Sequence, residues 1–230
     1  MPERNLWVLG GTSGIGQATF DRLWTECELT MFERAAAFGY EDFSVIYRTP
    51  LRQEISNWKP TDVVYSVGIN KLDWVKDVRI SDFTEVMQTN VYGFLNLVQV
   101  LDQEGCGPVN IVVVTSDAAW RPMRTSAVYC ASKAALEMAV RVASREYAPK
   151  GWRINGVAPG KVEDTPMTRY VDQRVLELRE WTHIEAEDYE RKSTPIGRKV
   201  SRDEVAQVIE QVLLGPAAQT GEIIAVNGGR

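Results

Sequence analysis

The sequence has few of the residues that build disulfide frameworks and metal sites. Its three cysteines, Cys27, Cys106 and Cys130, match neither paired nor metal-binding spacing. It has one histidine, so no pair of imidazoles is available for a metal centre. We therefore predict neither a disulfide framework nor a bound metal.

Long apolar runs and an excess of positive charge are also missing. No apolar run approaches the ~18 residues of a membrane-spanning helix, so we expect no membrane partner. The formal net charge is −5, which argues against a nucleic-acid partner because phosphate binding relies on a basic surface. The segment Met1–Asn5 leads directly into a predicted strand and lacks the apolar region of a signal peptide. We therefore expect a cytoplasmic protein.

What the sequence does contain is the composition of an ordinary globular protein. Its 230 residues are 44% hydrophobic and 25% charged, a balance typical of globular domains. This length is enough for one large hydrophobic core. We therefore predict a single domain over residues 1–230.

A glycine-rich turn follows the first predicted strand, Leu6–Leu9, and opens a helix that runs to about Trp24. Such a turn places backbone amides and the positive end of a helix where a pyrophosphate can bind. Glycine is needed there because side chains would block the turn or the phosphate. We therefore predict that the phosphates of a dinucleotide contact Gly10, Thr12, Ser13, Gly14, Ile15 and Gly16.

Predicted strands and helices alternate along the whole chain, which indicates a parallel sheet covered on both faces. With right-handed crossovers, the fold class is α/β, a Rossmann-type doubly wound sheet of seven strands with its ligand at the carboxyl ends of the strands. The seven strands, some with their exit turns, are predicted at Leu6–Leu9, Glu28–Phe32, Phe43–Tyr47, Asp62–Gly68, Val109–Thr115, Arg153–Gly160 and Glu222–Val226.

Two long helices are predicted from apolar residues that recur at intervals of three and four. The first spans Ser81–Glu104, and Asn90 lies on its apolar stripe, so this amide needs a specific hydrogen-bond partner. The second spans Ala127–Ala148. The residues that define the two stripes are Phe83, Met87, Phe94, Val98 and Leu101 in the first helix and Tyr129, Lys133, Leu136, Val140 and Ala143 in the second.

The second helix carries a candidate acid–base pair. Tyr129 and Lys133 are four residues apart and therefore share one face of the helix. A nearby cation favours phenolate over phenol, so we expect Lys133 to lower the pKa of Tyr129. Ser116, at the mouth of the preceding strand, would hydrogen-bond the oxygen that the tyrosine protonates. The alternative is an ordinary helical surface pair.

These residues resemble the signature of the short-chain dehydrogenase/reductase family, in which Tyr-x-x-x-Lys follows a serine about a dozen residues upstream. The resemblance runs from Leu6 to Gly229. It implies reversible hydride transfer between NAD or NADP and a small-molecule secondary alcohol or ketone. Tyr129 would exchange the hydroxyl proton, Ser116 would orient the substrate oxygen, and Lys133 would also bind the ribose.

The same resemblance implies a role for Asn90 in the motif Asn90–Gly93. In the family this asparagine bends its helix and holds a water that relays protons to the lysine. The alternative is an asparagine that only kinks the helix.

The resemblance also implies the remaining cofactor contacts. Glu33 and Arg34 follow the second strand, where an acidic residue favours NAD and a basic one attracts the extra phosphate of NADP. Ser13 stands where NADP-preferring relatives often carry a basic residue, so we lean to NAD. The other implied contacts, besides Tyr129 and Lys133, are Gly68, Pro159, Gly160, Val162 and Thr165.

The sequence departs from the family pattern around the adenosine site. Leu9 replaces a threonine, and the segment from Ala35 to Pro50 is shortened. Arg48 stands where relatives carry an aspartate that contacts adenine. The family's Asn-Asn-Ala-Gly is represented by Tyr65–Gly68. A non-catalytic nucleotide-binding regulatory protein is therefore one alternative function.

A substrate lid is expected at about 162–192, with Tyr170, Trp181, His183 and Tyr189 as possible wall residues. His183 is expected to be a packed or exposed lid residue rather than a catalyst. A second alternative function is reduction of a 3-oxoacyl thioester, for which Arg121 and Arg124 would receive an acidic carrier or anionic substrate. By analogy with relatives, we expect a homodimer or homotetramer.

Overall fold

The computed structural model describes residues 4–23, 28–32 and 48–230. Its strands form one parallel sheet in the order β2-β1-β3-β4-β5-β6. The predicted α/β fold class is therefore confirmed. The predicted third strand at 43–47 lies outside the described residues. The six described strands are β1 Asn5–Leu9, β2 Glu28–Phe32, β3 Asp62–Tyr65, β4 Asn110–Val114, β5 Arg153–Pro159 and β6 Ile223–Val226.

Helices cover both faces of this sheet. The last of them begins with the capping box that Ser201 and Glu204 form, in which each side chain accepts from the backbone amide of the other residue. The described helices are α1 Gly14–Leu23, α2 Arg48–Trp58, α3 Ile80–Met87, α4 Gly93–Gln103, α5 Ala127–Tyr147, α6 Pro166–Arg179, α7 His183–Ser193 and α8 Arg202–Leu213.

Alternation along the strands divides the core in two. Successive side chains of a strand point to opposite faces, so Leu6 and Val8 pack on one side of β1 while Trp7 and Leu9 pack on the other. On the first side the sheet meets α8. On the second side it meets α2, α4 and α5. Because both faces are buried, the central strands β3 and β4 are apolar after their first residues, Asp62 and Asn110, as expected of parallel sheets.

The predicted helix Ser81–Glu104 is divided in the structure. A π-helical turn, Gln88–Tyr92, separates α3 from α4. The wider turn shifts the phase of the helix, so the predicted stripe holds in α4, where Phe94 is buried, but not in α3, where Phe83 is 41% exposed. Single π-turns of this kind often occur at functional sites.

Helices occupy two segments for which the sequence predicted no helix, one before β3 and one in the expected lid. Helix α2 begins at Arg48, where the sequence analysis assigned no helix. The expected lid segment folds into α6 and α7. In the described part of the chain, no helix combines the length and apolar character needed to cross a membrane.

Candidate active site

The carboxyl ends of β1, β3, β4 and β5 open into one cleft of about 1120 Å³. Parallel strands end at the same edge of a sheet, so residues distant in sequence converge there. The predicted residues that line the cleft are Gly10, Thr12, Ser13, Gly14, Ile15, Gly68, Ser116, Tyr129, Lys133, Pro159, Gly160, Val162 and Thr165.

The glycine-rich turn lies tightly against its surroundings. Gly10 has a φ of +81°, and a Cβ added there would lie 2.8 Å from the Ser66 carbonyl oxygen. Gly16 does not line the cleft, but a Cβ there would lie 2.1 Å from the Gly10 carbonyl oxygen. Only glycine fits these two positions, and the turn leads into the amino-terminal end of α1. Its backbone amides and helix end fit the pyrophosphate of a dinucleotide.

Gly68 brings the third strand close to the acid–base pair. A Cβ added to Gly68 would lie 3.4 Å from Lys133 Nζ and 3.5 Å from Asn90 Oδ1. The absence of a side chain therefore leaves an open backbone surface beside the lysine. This surface fits the close approach of a ribose.

Asn90 is fully buried in the π-helical turn. Its Oδ1 accepts from the Ile69 amide at 2.8 Å, and its Nδ2 donates to the Ile69 carbonyl and to Ser132 Oγ, both at 2.9 Å. The side-chain amide thus has the specific partners that its burial requires. It ties the loop after β3 to α5. The predicted water relay through Asn90 remains a prediction.

Lys133 is 3% exposed, and its Nζ donates to the Val114 carbonyl at 3.0 Å. The same Nζ lies 5.7 Å from the centre of the Tyr129 ring. Burial lowers the pKa of Lys133 to about 8, against an opposing effect from Glu137. The lysine therefore lies beside the tyrosine, as its spacing predicted, with its ammonium directed to the end of β4.

Tyr129 is 9% exposed. Burial raises its pKa to about 12, while a hydrogen bond with Ser116 opposes the rise and the Asp117 charge adds to it. The expectation that Lys133 lowers this pKa is therefore wrong for the protein chain alone. The reason is that loss of solvation at the buried phenol is the largest influence on this pKa.

Ser116 ends β4 and caps the short 3₁₀ turn Asp117–Ala119. Its hydroxyl accepts from the Ala118 amide at 3.2 Å and interacts with the Tyr129 hydroxyl. Strand, turn and helix thus bring Ser116, Tyr129 and Lys133 together. A carbonyl oxygen between Ser116 and Tyr129 would meet two hydroxyl groups, and Tyr129 is the one that can transfer a proton.

A family model described as enoyl-(acyl carrier protein) reductase matches residues 51–230. A solved short-chain dehydrogenase family protein from Francisella tularensis is similar over 99% of this chain and 98% of its own, with a TM-score of 0.86 and 24% identity. The chain belongs to the short-chain dehydrogenase/reductase family. This membership assigns it to the NAD(P)-dependent oxidoreductases that act on CH–OH or keto groups.

Two curated relatives in this family are dehydrogenases or reductases by name. The 3-oxoacyl-[acyl-carrier-protein] reductase MabA of Mycobacterium avium is 30% identical over 75% of this chain and 72% of its own length. The galactitol 2-dehydrogenase (L-tagatose-forming) of Cereibacter sphaeroides is 31% identical over 73% of this chain. The match covers 64% of that enzyme, less than two thirds of its length.

One of the predicted cofactor contacts after β5, Thr165, also has a structural role. Thr165 caps α6, because its Oγ1 accepts from the Thr168 amide at 3.0 Å. Thr165 also lies opposite the glycine-rich turn, 3.3 Å from a Cβ added to Gly14. Its predicted contact with a nicotinamide carboxamide remains a prediction. Glu33 and Arg34, the predicted ribose contacts, lie outside the described residues.

The residues expected in the lid divide into two groups. Tyr170, Trp181 and Tyr189 line the cleft. His183 is exposed at the start of α7 and does not line it. This position agrees with the expectation that His183 is not a catalyst.

The two loop arginines also have different positions. Arg121 lines the cleft. The Arg124 guanidinium instead lies 5.3 Å from the Trp74 ring centre, and Arg124 does not line the cleft. Of the two, only Arg121 is placed to meet a bound substrate.

Sequence reasoning missed Glu137, which lies one turn beyond Lys133 and is 8% exposed. Burial raises its pKa to about 7, while Thr115, Arg141 and Lys133 oppose the rise. A signal was present, since Tyr129, Lys133 and Glu137 follow one another at intervals of four and share one face of α5. A buried, titratable carboxyl group therefore stands next to the lysine.

Proposed function

We propose that the protein transfers hydride reversibly between a nicotinamide cofactor and a secondary alcohol or its ketone, with Tyr129 as the acid–base residue. The observation that supports this most is the convergence of Ser116, Tyr129 and Lys133 beside Gly68 in one cleft. Three segments, the loop after β3, the end of β4 and helix α5, meet there, which an isolated Tyr-x-x-x-Lys surface pair would not require. The domain limits and the lid at 162–192 belong to the same proposal.

The residues around the cleft fit a dinucleotide. The turn from Gly10 to Gly16 would hold the pyrophosphate, and Gly68 with Lys133 would hold the nicotinamide ribose. The segment Pro159–Val162 and Thr165 would border the nicotinamide. When bound, the cofactor supplies or accepts the hydride, and the chain supplies position and electrostatics.

The proton is handled by the chain itself. A Tyr129 pKa raised to about 12 keeps the phenol protonated at neutral pH, which is the state that can protonate a carbonyl oxygen. Ser116 would hold that oxygen in place. In the reverse direction Tyr129 must first lose its proton, and burial of the phenol opposes that loss.

For the finer choice of cofactor we propose NAD. Ser13 is exposed in the glycine-rich turn and lines the cleft, and it carries no positive charge to attract a 2′-phosphate. The other choice, NADP, is supported by a solved small-chain dehydrogenase in complex with NADPH, which is 19% identical with a TM-score of 0.83. Titration with NADH and with NADPH, followed by nicotinamide fluorescence, would decide between them.

The test of the reaction is the variant Tyr129→Phe. We expect turnover of ketones to fall at least about 10²-fold, the lower range for loss of general acid–base catalysis, while NADH or NADPH still binds. Tyr147→Phe on the same helix but outside the cleft is the matched control and should retain activity. Substantial residual turnover in Tyr129→Phe would contradict the assignment. Wild-type protein that binds neither cofactor would favour the non-catalytic alternative.

A second candidate function is reduction of a 3-oxoacyl thioester. The similarity to the Mycobacterium avium reductase and the position of Arg121 in the cleft support it. Arg121→Ala should then raise the KM for an acetoacetyl thioester and leave the KM for a neutral ketone unchanged. An unchanged KM for both substrates would remove this candidate.

We also propose that the protein is a homodimer or homotetramer. Helix α5 exposes Met138 at 60% and Val142 at 47%, although the opposite side of the helix is buried in the core. Leu95 of the neighbouring α4 is 37% exposed. This apolar face, together with the family's use of the same two helices in subunit contacts, supports self-association.

A further inference from the structure

Three charged residues whose side chains are largely buried lie together in the cleft. Asp117 directly follows Ser116 and is fully buried. The Arg230 side chain is 6% exposed, and its Nε lies 4.0 Å from Asp117 Oδ2. Its Nη1 lies 3.7 Å from Glu190 Oε2, and the Glu190 side chain is 19% exposed. All three line the cleft, and we refer to them as the Asp117 cluster.

Several polar atoms of this cluster have no hydrogen-bond partner among the described residues. These buried atoms are both carboxylate oxygens of Asp117, Oε2 of Glu190 and Nε of Arg230. The two ion pairs within the cluster, at 4.0 and 3.7 Å, are longer than hydrogen bonds. A buried polar atom without a partner costs about 1–3 kcal/mol. Groups from a bound molecule that satisfy these atoms would recover that cost.

The chemistry of the cluster restricts what such a molecule can be. Carboxylates only accept hydrogen bonds and a guanidinium only donates them, whereas a hydroxyl group does both. A substrate carboxylate would be attracted by Arg230 but repelled by both Asp117 and Glu190, which lie beside it. A purely aliphatic ketone would leave the polar atoms without partners. Neighbouring hydroxyl groups satisfy carboxylates and guanidinium alike.

The same region of the cleft offers an apolar surface for a carbon skeleton. The Trp181 and Tyr189 rings lie 5.1 Å apart, and both line the cleft. Asp117 is also close enough to Tyr129 for its charge to act on the phenol. The cluster is therefore adjacent to the position of the reacting carbon.

We propose that the Asp117 cluster is a specificity site for a polyhydroxylated substrate, a polyol or its keto form, whose hydroxyl groups next to the reacting carbon bind Asp117 and Arg230. This inference rests on the proposed hydride transfer and names its substrate class. Lys161 holds Glu190 from the far side at 2.8 Å, so the wall of the site is fixed to the segment that follows β5.

The test compares the oxidation of six-carbon polyols, galactitol and sorbitol, with that of 2-hexanol and 3-hydroxybutyrate. For wild-type protein, kcat/KM for at least one polyol should exceed that for 2-hexanol and for 3-hydroxybutyrate by about tenfold or more. Tenfold is the lower end of the discrimination that polar contacts give. Asp117→Asn should lower the ratio of polyol to 2-hexanol kcat/KM by about tenfold or more. The exposed Asp203→Asn on α8 is the matched control and should leave the ratio unchanged.

The outcomes separate the two proposals. Turnover of 2-hexanol or 3-hydroxybutyrate in preference to both polyols would overturn the specificity site and leave hydride transfer intact. If none of the four alcohols is oxidised and none of the corresponding ketones is reduced, the result contradicts both the proposed function and this inference. If the melting temperature of Asp117→Asn is well below that of wild-type, Arg230→Gln is tested as the second variant. An unchanged substrate ratio in Arg230→Gln would also overturn the proposal.

Discussion

At the scale of single residues, burial acts on Lys133 and Glu137 in opposite directions. It lowers the pKa of the lysine to about 8 and raises that of the glutamate to about 7. Both ordinary values lie far from neutrality, at 10.5 and 4.5. The two groups, one turn apart on α5, therefore change protonation state close to neutral pH. The lysine that adjoins Tyr129 consequently has a partner whose charge depends on the same pH range.

The first prediction concerns the stability of Glu137→Gln. The folded-state pKa of Glu137 is above its ordinary value, so folding favours the protonated carboxyl group. The stability gained is complete below about pH 4.5 and is lost as pH rises through about 7. The unfolding free energy of wild-type minus that of Glu137→Gln should therefore fall from pH 5 to pH 8, by up to about 3 kcal/mol. Urea unfolding at intervals of one pH unit measures it.

The control for this prediction is Glu146→Gln, which removes an exposed carboxylate from the same helix. Its stability difference from wild-type should not change over that pH range. A Glu137→Gln difference that is constant would show that folding does not shift the Glu137 pKa, and one that rises with pH would show that folding lowers it. Either result would contradict the prediction.

At the scale of elements, the sequence predicted what local pattern determines. The strand, turn and helix from Leu6 to Leu23 are in place, because glycines and apolar alternation act over a few residues. The inner stripe of α5 is buried as expected. The predicted single helix Ser81–Glu104 was wrong in its continuity, since the π-helical turn at Asn90 depends on hydrogen bonds to Ile69 and Ser132. Those contacts join different elements, and no periodicity in one helix contains them.

The same limit applies to electrostatics in the site. Spacing correctly placed Lys133 beside Tyr129, but it did not give the cost of burying a phenol, which raises the Tyr129 pKa. Asp117 lies closest to Arg230, which follows β6 and also lies beside Glu190 of α7. The catalytic roles of Asn90, Ser116, Tyr129 and Lys133 stay predictions until they are tested.

The second prediction is that alanine at Gly16 affects both stability and cofactor binding, whereas alanine at Gly68 affects cofactor binding alone. Gly16→Ala places a Cβ 2.1 Å from the Gly10 carbonyl oxygen, so the backbone must move at a cost of about 1–3 kcal/mol or more. It should lower thermal stability and weaken cofactor binding together. Gly68→Ala meets Lys133 Nζ at an ordinary 3.4 Å. Its melting temperature should be close to that of wild-type, but it should bind NADH or NADPH about tenfold more weakly.

Differential scanning fluorimetry and nicotinamide fluorescence titration measure the two effects. Gly105→Ala is the control for cofactor binding, because Gly105 lies away from the cleft. Its φ of +66° strains any side chain, so this variant should lose thermal stability without weaker cofactor binding. Unweakened binding in Gly68→Ala would contradict the proposed close approach of the ribose to this backbone.

At the scale of the whole molecule, helix α5 is apolar on its outer side as well as on its inner side. The inner side of this helix packs into the hydrophobic core, where Leu136 and Val140 are fully buried. Met138 and Val142, one turn apart, stand on its outer side and remain exposed. Burying such side chains stabilises an interface by about 1.5–3 kcal/mol each. In a homo-oligomer with two-fold symmetry, each residue at the contact counts twice.

The third prediction follows from that doubling. The double variant Met138→Glu/Val142→Glu places four carboxylates in a two-fold contact, so it should shift the protein toward the monomer. Light scattering coupled to size-exclusion chromatography should show wild-type at two or four times the 25.9 kDa chain mass, and the variant at lower mass. Ile184→Glu, on α7 and 78% exposed, adds a carboxylate elsewhere and should leave the assembly intact. Since the core side of α5 is unchanged in the double variant, its monomer should keep the far-ultraviolet circular dichroism of wild-type. A variant that keeps the wild-type mass would place the subunit contact away from these two residues.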